Sequence, residues 1–173
     1  MINPFKKTYS DSELKLFRFL SRIQLFNKLS DDELAEFTPY LHSRKYKMDE
    51  AVFFRDDPSQ ALYIVKRGMV CLNLEIEDRF EVISEVKASQ AFGDNSLLED
   101  TYRLYTAIVT SETAELMVIP QVNILEIFED NHIIKSKMLE AVAVLYNNYT
   151  ANLFKAYQSS YGFFNIGEAY RRK

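Results

Sequence analysis

The hydrophobic period of this chain changes twice, and nothing else constrains its fold as tightly. Near the N-terminus apolar residues recur at helical spacing. Across residues 41–119 they alternate two by two, and after Pro120 the helical spacing returns. A chain ordered in this way is predicted to be mixed α and β: an antiparallel β-roll of jelly-roll type, flanked by N-terminal helices and a long C-terminal helix.

The two N-terminal helices announce their starts. Ser10 followed by Glu13 is a capping box, ahead of an apolar stripe of Leu14, Phe17, Leu20 and Ile23. Ser30 with Glu33 is a second box, ahead of Leu34 and Phe37, and Pro39 is expected to end that helix. In the alternating region Val70, Leu72, Leu74 and Ile76 face one way, with Cys71, Asn73, Glu75 and Glu77 facing the other. Ala114, Leu116 and Val118 repeat the pattern. Further strands are expected at 41–46, 51–54, 62–66, 80–86 and 104–110. Turns fall at Asp56-Asp57-Pro58, Arg67-Gly68, Glu77-Asp78 and Ser111-Glu112, and Gly68 is expected to take a positive φ in a tight hairpin.

After Pro120, Val122, Leu125 and Phe128 mark a short helix. A longer one runs from about residue 132 toward 157, with Ile134, Met138, Ala141 and Leu145 spaced four, three, four. That seam serves either packing on the chain's own β-roll or a homodimer contact across Ile134–Leu145. Asn148 and Asn152 interrupt it at the next two positions. The parts of the chain are thus N-terminal helices (1–40), β-roll (41–120), C-terminal helices (121–157) and an aromatic tail (158–173). The tail holds Tyr161, Phe163, Phe164 and Tyr170 and closes on Arg171-Arg172-Lys173.

Composition removes several function classes. Of 173 residues, 47% are hydrophobic and 27% charged, with a formal net charge of -4, which opposes wholesale binding to a nucleic-acid backbone. A lone Cys71 forms no intrachain disulfide and points to a reducing compartment. The N-terminus lacks the apolar run of a signal peptide, and no stretch approaches the roughly 20 apolar residues of a membrane span. The expectation is a cytoplasmic protein without membrane or DNA contacts. Its two histidines, His42 and His132, lie far apart, so the several converging ligands of a jelly-roll metal site are not available. No catalytic residue, metal site or cofactor is expected, and the chain does not read as an enzyme.

One stretch, residues 92–107, differs in kind. It holds Gly93, Asp94, the short turn Asn95-Ser96-Leu97-Leu98, and Arg103 entering a strand. Gly93 permits close backbone approach, and the turn offers amide donors suited to an anion. Arg103 can add a bidentate contact to a phosphate. Asp94 would repel phosphate and suits a ligand hydroxyl. A small ligand with one phosphate and a neighbouring sugar hydroxyl satisfies all three.

Phe92-Gly93, Leu97-Leu98, Arg103 and Thr106 stand at offsets that resemble the phosphate-binding cassette of the cyclic-nucleotide-binding domain family, which includes catabolite activator proteins and protein kinase A regulatory subunits. The segment Leu62-Tyr63-Ile64-Val65-Lys66-Arg67-Gly68-Met69-Val70 looks like the family's strand, glycine turn and next strand. Leu25-Phe26-Asn27-Lys28-Leu29-Ser30 looks like its helical lead-in. The resemblance implies that Arg103 binds the cyclic phosphate, that Asp94 stands where a Glu takes the ribose 2′-hydroxyl, that Gly93 and the backbone of Asn95 and Ser96 help hold the phosphate, and that Leu104 borders the ligand. It further implies a regulatory domain for a cyclic mononucleotide, cyclic AMP before cyclic GMP, relayed to a protein partner by movement of the C-terminal helix after Pro120. Tyr149, Phe154 or Tyr157 would cap the base.

The departures from the family pattern define the alternative. Asp94 is shorter than Glu by one C–C bond, about 1.5 Å. Tyr102 replaces a proline, and Leu104 and Tyr105 replace small residues. Met48-Asp49-Glu50 stands where the family has a glycine between its first two strands. Leu104 lacks the hydroxyl that guanine-selective members often use. The alternative expectation is a degenerate scaffold whose pocket is filled by its own side chains and which works as a protein-interaction module.

Overall fold

The computed structural model describes residues 8–76 and 79–160. Both capping boxes form. Ser10 Oγ accepts from the Glu13 amide at 3.3 Å, while the Ser10 amide donates to Glu13 Oε2 at 2.7 Å, and helix α1 runs Asp11–Leu20. The Ser30–Glu33 box likewise starts α2, Asp31–Ala35. Pro39 does not end α2: the helix stops at Ala35, and Pro39 sits inside a separate 3-10 turn, Thr38–Tyr40. An early position in a short turn suits a residue without an amide proton.

Eight antiparallel strands follow: β1 (His42–Lys47), β2 (Ala51–Phe53), β3 (Ala61–Arg67), β4 (Met69–Ile76), β5 (Arg79–Lys87), β6 (Ala91–Phe92), β7 (Thr106–Val109) and β8 (Thr113–Pro120). They form two four-stranded sheets of order β1-β8-β3-β6 and β2-β7-β4-β5, the layers of a jelly roll that do not close into a barrel. Gly68 joins β3 to β4 at φ 88°, where a Cβ would lie 2.5 Å from the Thr113 carbonyl. Asp49, standing where the family's glycine is missing, takes the left-handed conformation itself at φ 66°. The alternation expected along β4 is not kept. Cys71 and Asn73 are 7% and 4% exposed, because β4 lies between β5 and β7 and its ladder to β5 is irregular at Leu72/Asn73. The short β6 was not expected, and β7 begins at Thr106, so Leu104 and Tyr105 precede the strand. The expected turn at Glu77-Asp78 lies outside the described residues.

Between the sheets lies one core of Phe53, Tyr63, Val65, Val70, Phe92 and Leu116. A second core lies under the helices and includes Phe17, Phe26, Phe37, Ile64, Ile119 and Phe128. Pro120 opens α3 (Gln121–Asp130) in a phase that buries Ile124, Ile127 and Phe128. Val122, one of the residues that mark this helix in the sequence, is 69% exposed. Helix α4 runs His132–Ser160, three residues past the expected end, and the rest of the aromatic tail lies outside the described residues. Its seam is spent on the chain's own core: Ile134 and Met138 are fully buried there, with Ala141 beside them and Leu145 packed against the cluster. Lys137 on α4 donates to both carboxylate oxygens of Glu33 at 2.7 Å, tying α2 to α4. Among the described residues, no helix is long and apolar enough to cross a membrane.

Candidate functional site

At the end of β6 the chain turns sharply. Gly93 adopts φ 73°, and Asp94–Leu97 forms a 3-10 turn. The returning segment is zipped to the loop after β2. The Arg103 amide donates to the Asp57 carbonyl at 2.8 Å, the Asp56 amide to the Arg103 carbonyl at 2.9 Å, and the Ser59 amide to the Thr101 carbonyl at 2.9 Å. This pairing fixes which side chains turn inward.

Arg103 is one of them, at 2% exposure. Its Nη2 donates to the Ala61 carbonyl at 2.7 Å, and its Nη1 to the Gly93 carbonyl at 3.2 Å and to Asn95 Oδ1 at 3.3 Å. The guanidinium carbon stands 4.2 Å above the Phe53 ring and 5.6 Å from that of Tyr63. Its Nε is buried and unpartnered, and no carboxylate among the described residues forms an ion pair with it. Burial lowers its hold on the proton, with the fields of Tyr63, Tyr105 and Asp94 acting against that shift.

The neighbouring candidates divide by role. Asn95 acts through its side chain, accepting from Ser59 Oγ at 3.0 Å and from Arg103 while donating to the Tyr102 carbonyl. It braces the arginine. The Ser96 amide, expected to face a phosphate, is spent on the Gly93 carbonyl at 3.0 Å, because the 3-10 turn closes on itself. Ser96 Oγ is fully buried without a partner. Leu104 does not border the site. It is 65% exposed, and the residue after it turns in instead. Tyr105 places its hydroxyl 3.0 Å from the Gly93 amide, which donates to it.

Asp94 is 8% exposed and hydrogen-bonds Tyr146 of α4. Burial pushes its carboxyl above the ordinary range, and the Tyr146 bond and the Arg103 charge oppose that push. Burial and the nearby carboxylate raise the phenols of Tyr105, Tyr146 and Tyr149 in turn. Of the three aromatics expected to cap a ligand, Tyr149 lines the site. Tyr146 was missed, although its three-residue offset from Tyr149 puts both on one helix face, with rings 6.2 Å apart.

Two clefts meet at Asp94. A cleft of about 90 Å³ is lined by Leu72, Ser84, Val86, Asp94, Tyr105 and Tyr149. The other, about 230 Å³, lies beneath α4 and is lined by Arg22, Gln24, Ser89, Asp94, Leu145 and Tyr149. Arg103 lines neither. The smaller cleft falls well below the roughly 300 Å³ at which small-molecule sites begin. No group of three or more His, Cys, Asp or Glu suited to a metal ion occurs among the described residues. The chemistry on offer is a buried cation without an anion, a glycine amide held by a phenol, and a carboxylate held by a helix tyrosine.

Comparison with known proteins agrees with this geometry. The chain is 25% identical over 120 residues to the cyclic AMP receptor protein of Thermus thermophilus, a match covering 69% of this chain and 51% of that relative. It spans 24% of another relative, a candidate potassium channel protein of Rhodopseudomonas palustris. Among solved structures, the N-terminal domain of a Streptomyces coelicolor transcriptional regulator superposes with a TM-score of 0.66 at 24% identity, covering 76% of this chain and 94% of that one. The regulatory domain of Toxoplasma gondii protein kinase A, solved with cyclic AMP, gives 0.63 at 23%, covering 70% and 46%. These two likenesses establish the fold. The sequence profile described as "Cyclic nucleotide-binding domain" matches residues 43–131, the β-roll with its cassette and α3, and on that match the chain belongs to the cyclic nucleotide-binding domain family.

Proposed function

We propose that this chain is a regulatory, non-catalytic domain that senses a cyclic mononucleotide, adenine before guanine, and relays its occupancy to a protein partner through α4. The observation that carries the reading is Arg103: a buried cation with no carboxylate ion-pair partner, and no acceptor for its Nε–H, among the described residues. Its carbonyl partners and the Phe53 ring leave the buried charge without a counter-ion, and a monoanionic phosphate would supply one. Arg103 would exchange its carbonyl partners for phosphate oxygens, a stronger, charge-assisted bond. Asp94 would exchange Tyr146 for a ribose hydroxyl, which couples the ligand to α4. That coupling transmits a signal only if the ligand binds better to one helix position than to the other. The adenine preference is supported by the likeness to a cyclic AMP receptor protein and to a kinase regulatory domain solved with cyclic AMP, and not by Leu104, which is exposed.

Calorimetric titration of cyclic AMP and cyclic GMP into wild type, Arg103→Lys and Arg103→Ala tests this, with circular dichroism confirming that each variant is folded. Wild type is expected to bind, Arg103→Lys more weakly and Arg103→Ala not at all. Equal indifference of all three folded proteins to both nucleotides would overturn the reading.

A second reading has its own support in the Tyr105 hydroxyl on the Gly93 amide: a self-filled scaffold that contacts proteins and ignores nucleotides. It predicts partner recovery in pull-downs that is unchanged by added cyclic AMP, and a strong nucleotide effect on recovery would count against it.

A further inference from the structure

We infer that Tyr105 is an internal occupant of the phosphate end of this site, and that its displacement sets which ligands bind and how tightly. The inference rests on the cyclic-nucleotide reading above. Three observations carry it. The Gly93 amide, turned out of β6 by a left-handed residue, donates to the Tyr105 hydroxyl at 3.0 Å. The Tyr105 ring lies 5.8 Å from that of Phe53, the same ring that carries the Arg103 guanidinium at 4.2 Å. Tyr105 also lines the cleft, which retains only about 90 Å³ beside it.

A phosphate oxygen cannot accept from the Gly93 amide while the phenol holds it, so a ligand that uses this amide must turn Tyr105 out. What it gains depends on its chemistry. The phenol is a neutral acceptor, and burial with the nearby Asp94 keeps it protonated. A phosphate oxygen offers the same amide a charge-assisted bond, about twice as strong as a neutral one, and also meets the buried Arg103. A nucleoside without phosphate trades one neutral acceptor for another and gains nothing at this end. Tyr105 therefore acts as a filter for anionic ligands.

The test uses wild type, Tyr105→Phe and Tyr105→Ala, with Tyr105→Phe keeping the ring so that folding is preserved. Exchange of the Gly93 amide proton is followed by NMR without ligand, and cyclic AMP, cyclic GMP and adenosine are titrated in parallel. Tyr105→Phe is expected to speed Gly93 exchange at least tenfold while core amides hold. It should also tighten cyclic AMP about five- to tenfold, the worth of one hydrogen bond that need no longer be broken. Tyr105→Ala should tighten it further, and adenosine should gain affinity only in that variant. Unchanged Gly93 exchange in Tyr105→Phe would overturn the inference, as would faster exchange with nucleotide affinity unchanged or weakened. Faster exchange with no nucleotide bound by any of the three proteins would support Tyr105 as the occupant of the amide while overturning the sensor reading.

Discussion

Gly93 and Arg103 are fitted so closely that a methyl group at position 93 would stand 2.5 Å from the Arg103 Nη1. The guanidinium cannot retreat cheaply, because three hydrogen bonds to Ala61, Gly93 and Asn95 hold it. Gly93 also sits at φ 73°, which costs a residue with a side chain about 1 kcal/mol or more. Gly93→Ala is expected to destabilise by about 2–3 kcal/mol in urea denaturation. In an Arg103→Ala background the loss should shrink to about 1 kcal/mol, the backbone part alone.

Asp94 gives the fold a pH dependence of unusual sign for a carboxylate. Burial raises its pKa above the ordinary 3.8, so the folded protein holds a proton that the unfolded chain releases. Its contribution is complete at low pH and is lost as pH rises through the folded value. Asp94→Asn removes that loss. The melting temperature of the variant relative to wild type is expected to rise from the ordinary carboxylate range upward and then level off. A difference that stayed flat with pH, or fell, would refute the assignment.

Much of the architecture is written locally. A capping box needs only residues three apart, so α1 and α2 could be located from Ser10–Glu13 and Ser30–Glu33 alone. The Gly68 hairpin likewise depends on one residue between two alternating runs. Facing is a different matter. Leu104 and Tyr105 are adjacent, and which one enters the site is a one-residue phase set by the pairing of Arg103 with Asp56 and Asp57, more than 40 positions earlier. The same holds for Tyr146, whose approach to Asp94 depends on the rotation of α4 over the β-roll. The cassette's composition was therefore legible, while its occupancy by two tyrosine hydroxyls was not.

The Glu33–Lys137 pair shows the opposite linkage. Burial alone would raise the Glu33 carboxyl, but the hydrogen bonds from Lys137 and Ser30 prevail and hold it below the ordinary 4.5. Its stabilisation is present above that value and is lost as pH falls through the folded one. Lys137→Met should lower stability by about 1 kcal/mol near neutral pH, since the lysine is partly exposed and screened. The deficit should vanish in acid, where Glu33 is protonated in both proteins. Denaturation followed from pH 7 downward until the difference between the two proteins stops changing measures both limits.

Ser96 and Ser59 are both buried serines next to Asn95, one in sequence and one through a hydrogen bond, yet they should respond in opposite ways to loss of the hydroxyl. Ser59 Oγ donates to Asn95 Oδ1 at 3.0 Å, and Ser59→Ala should cost about 1 kcal/mol. Ser96 Oγ is fully buried with no partner, so the free protein already bears its desolvation. Ser96→Ala is expected to leave the ligand-free protein unchanged or to stabilise it by about 1 kcal/mol. If Ser96 belongs to the anion site, as the cassette resemblance implies, its unspent hydroxyl is a donor in reserve, and the same substitution should then weaken nucleotide binding several-fold. Stability and affinity measured on one preparation separate these effects. A Ser96→Ala protein that loses stability without ligand would show that the hydroxyl has an internal partner after all, and would remove it from the binding site.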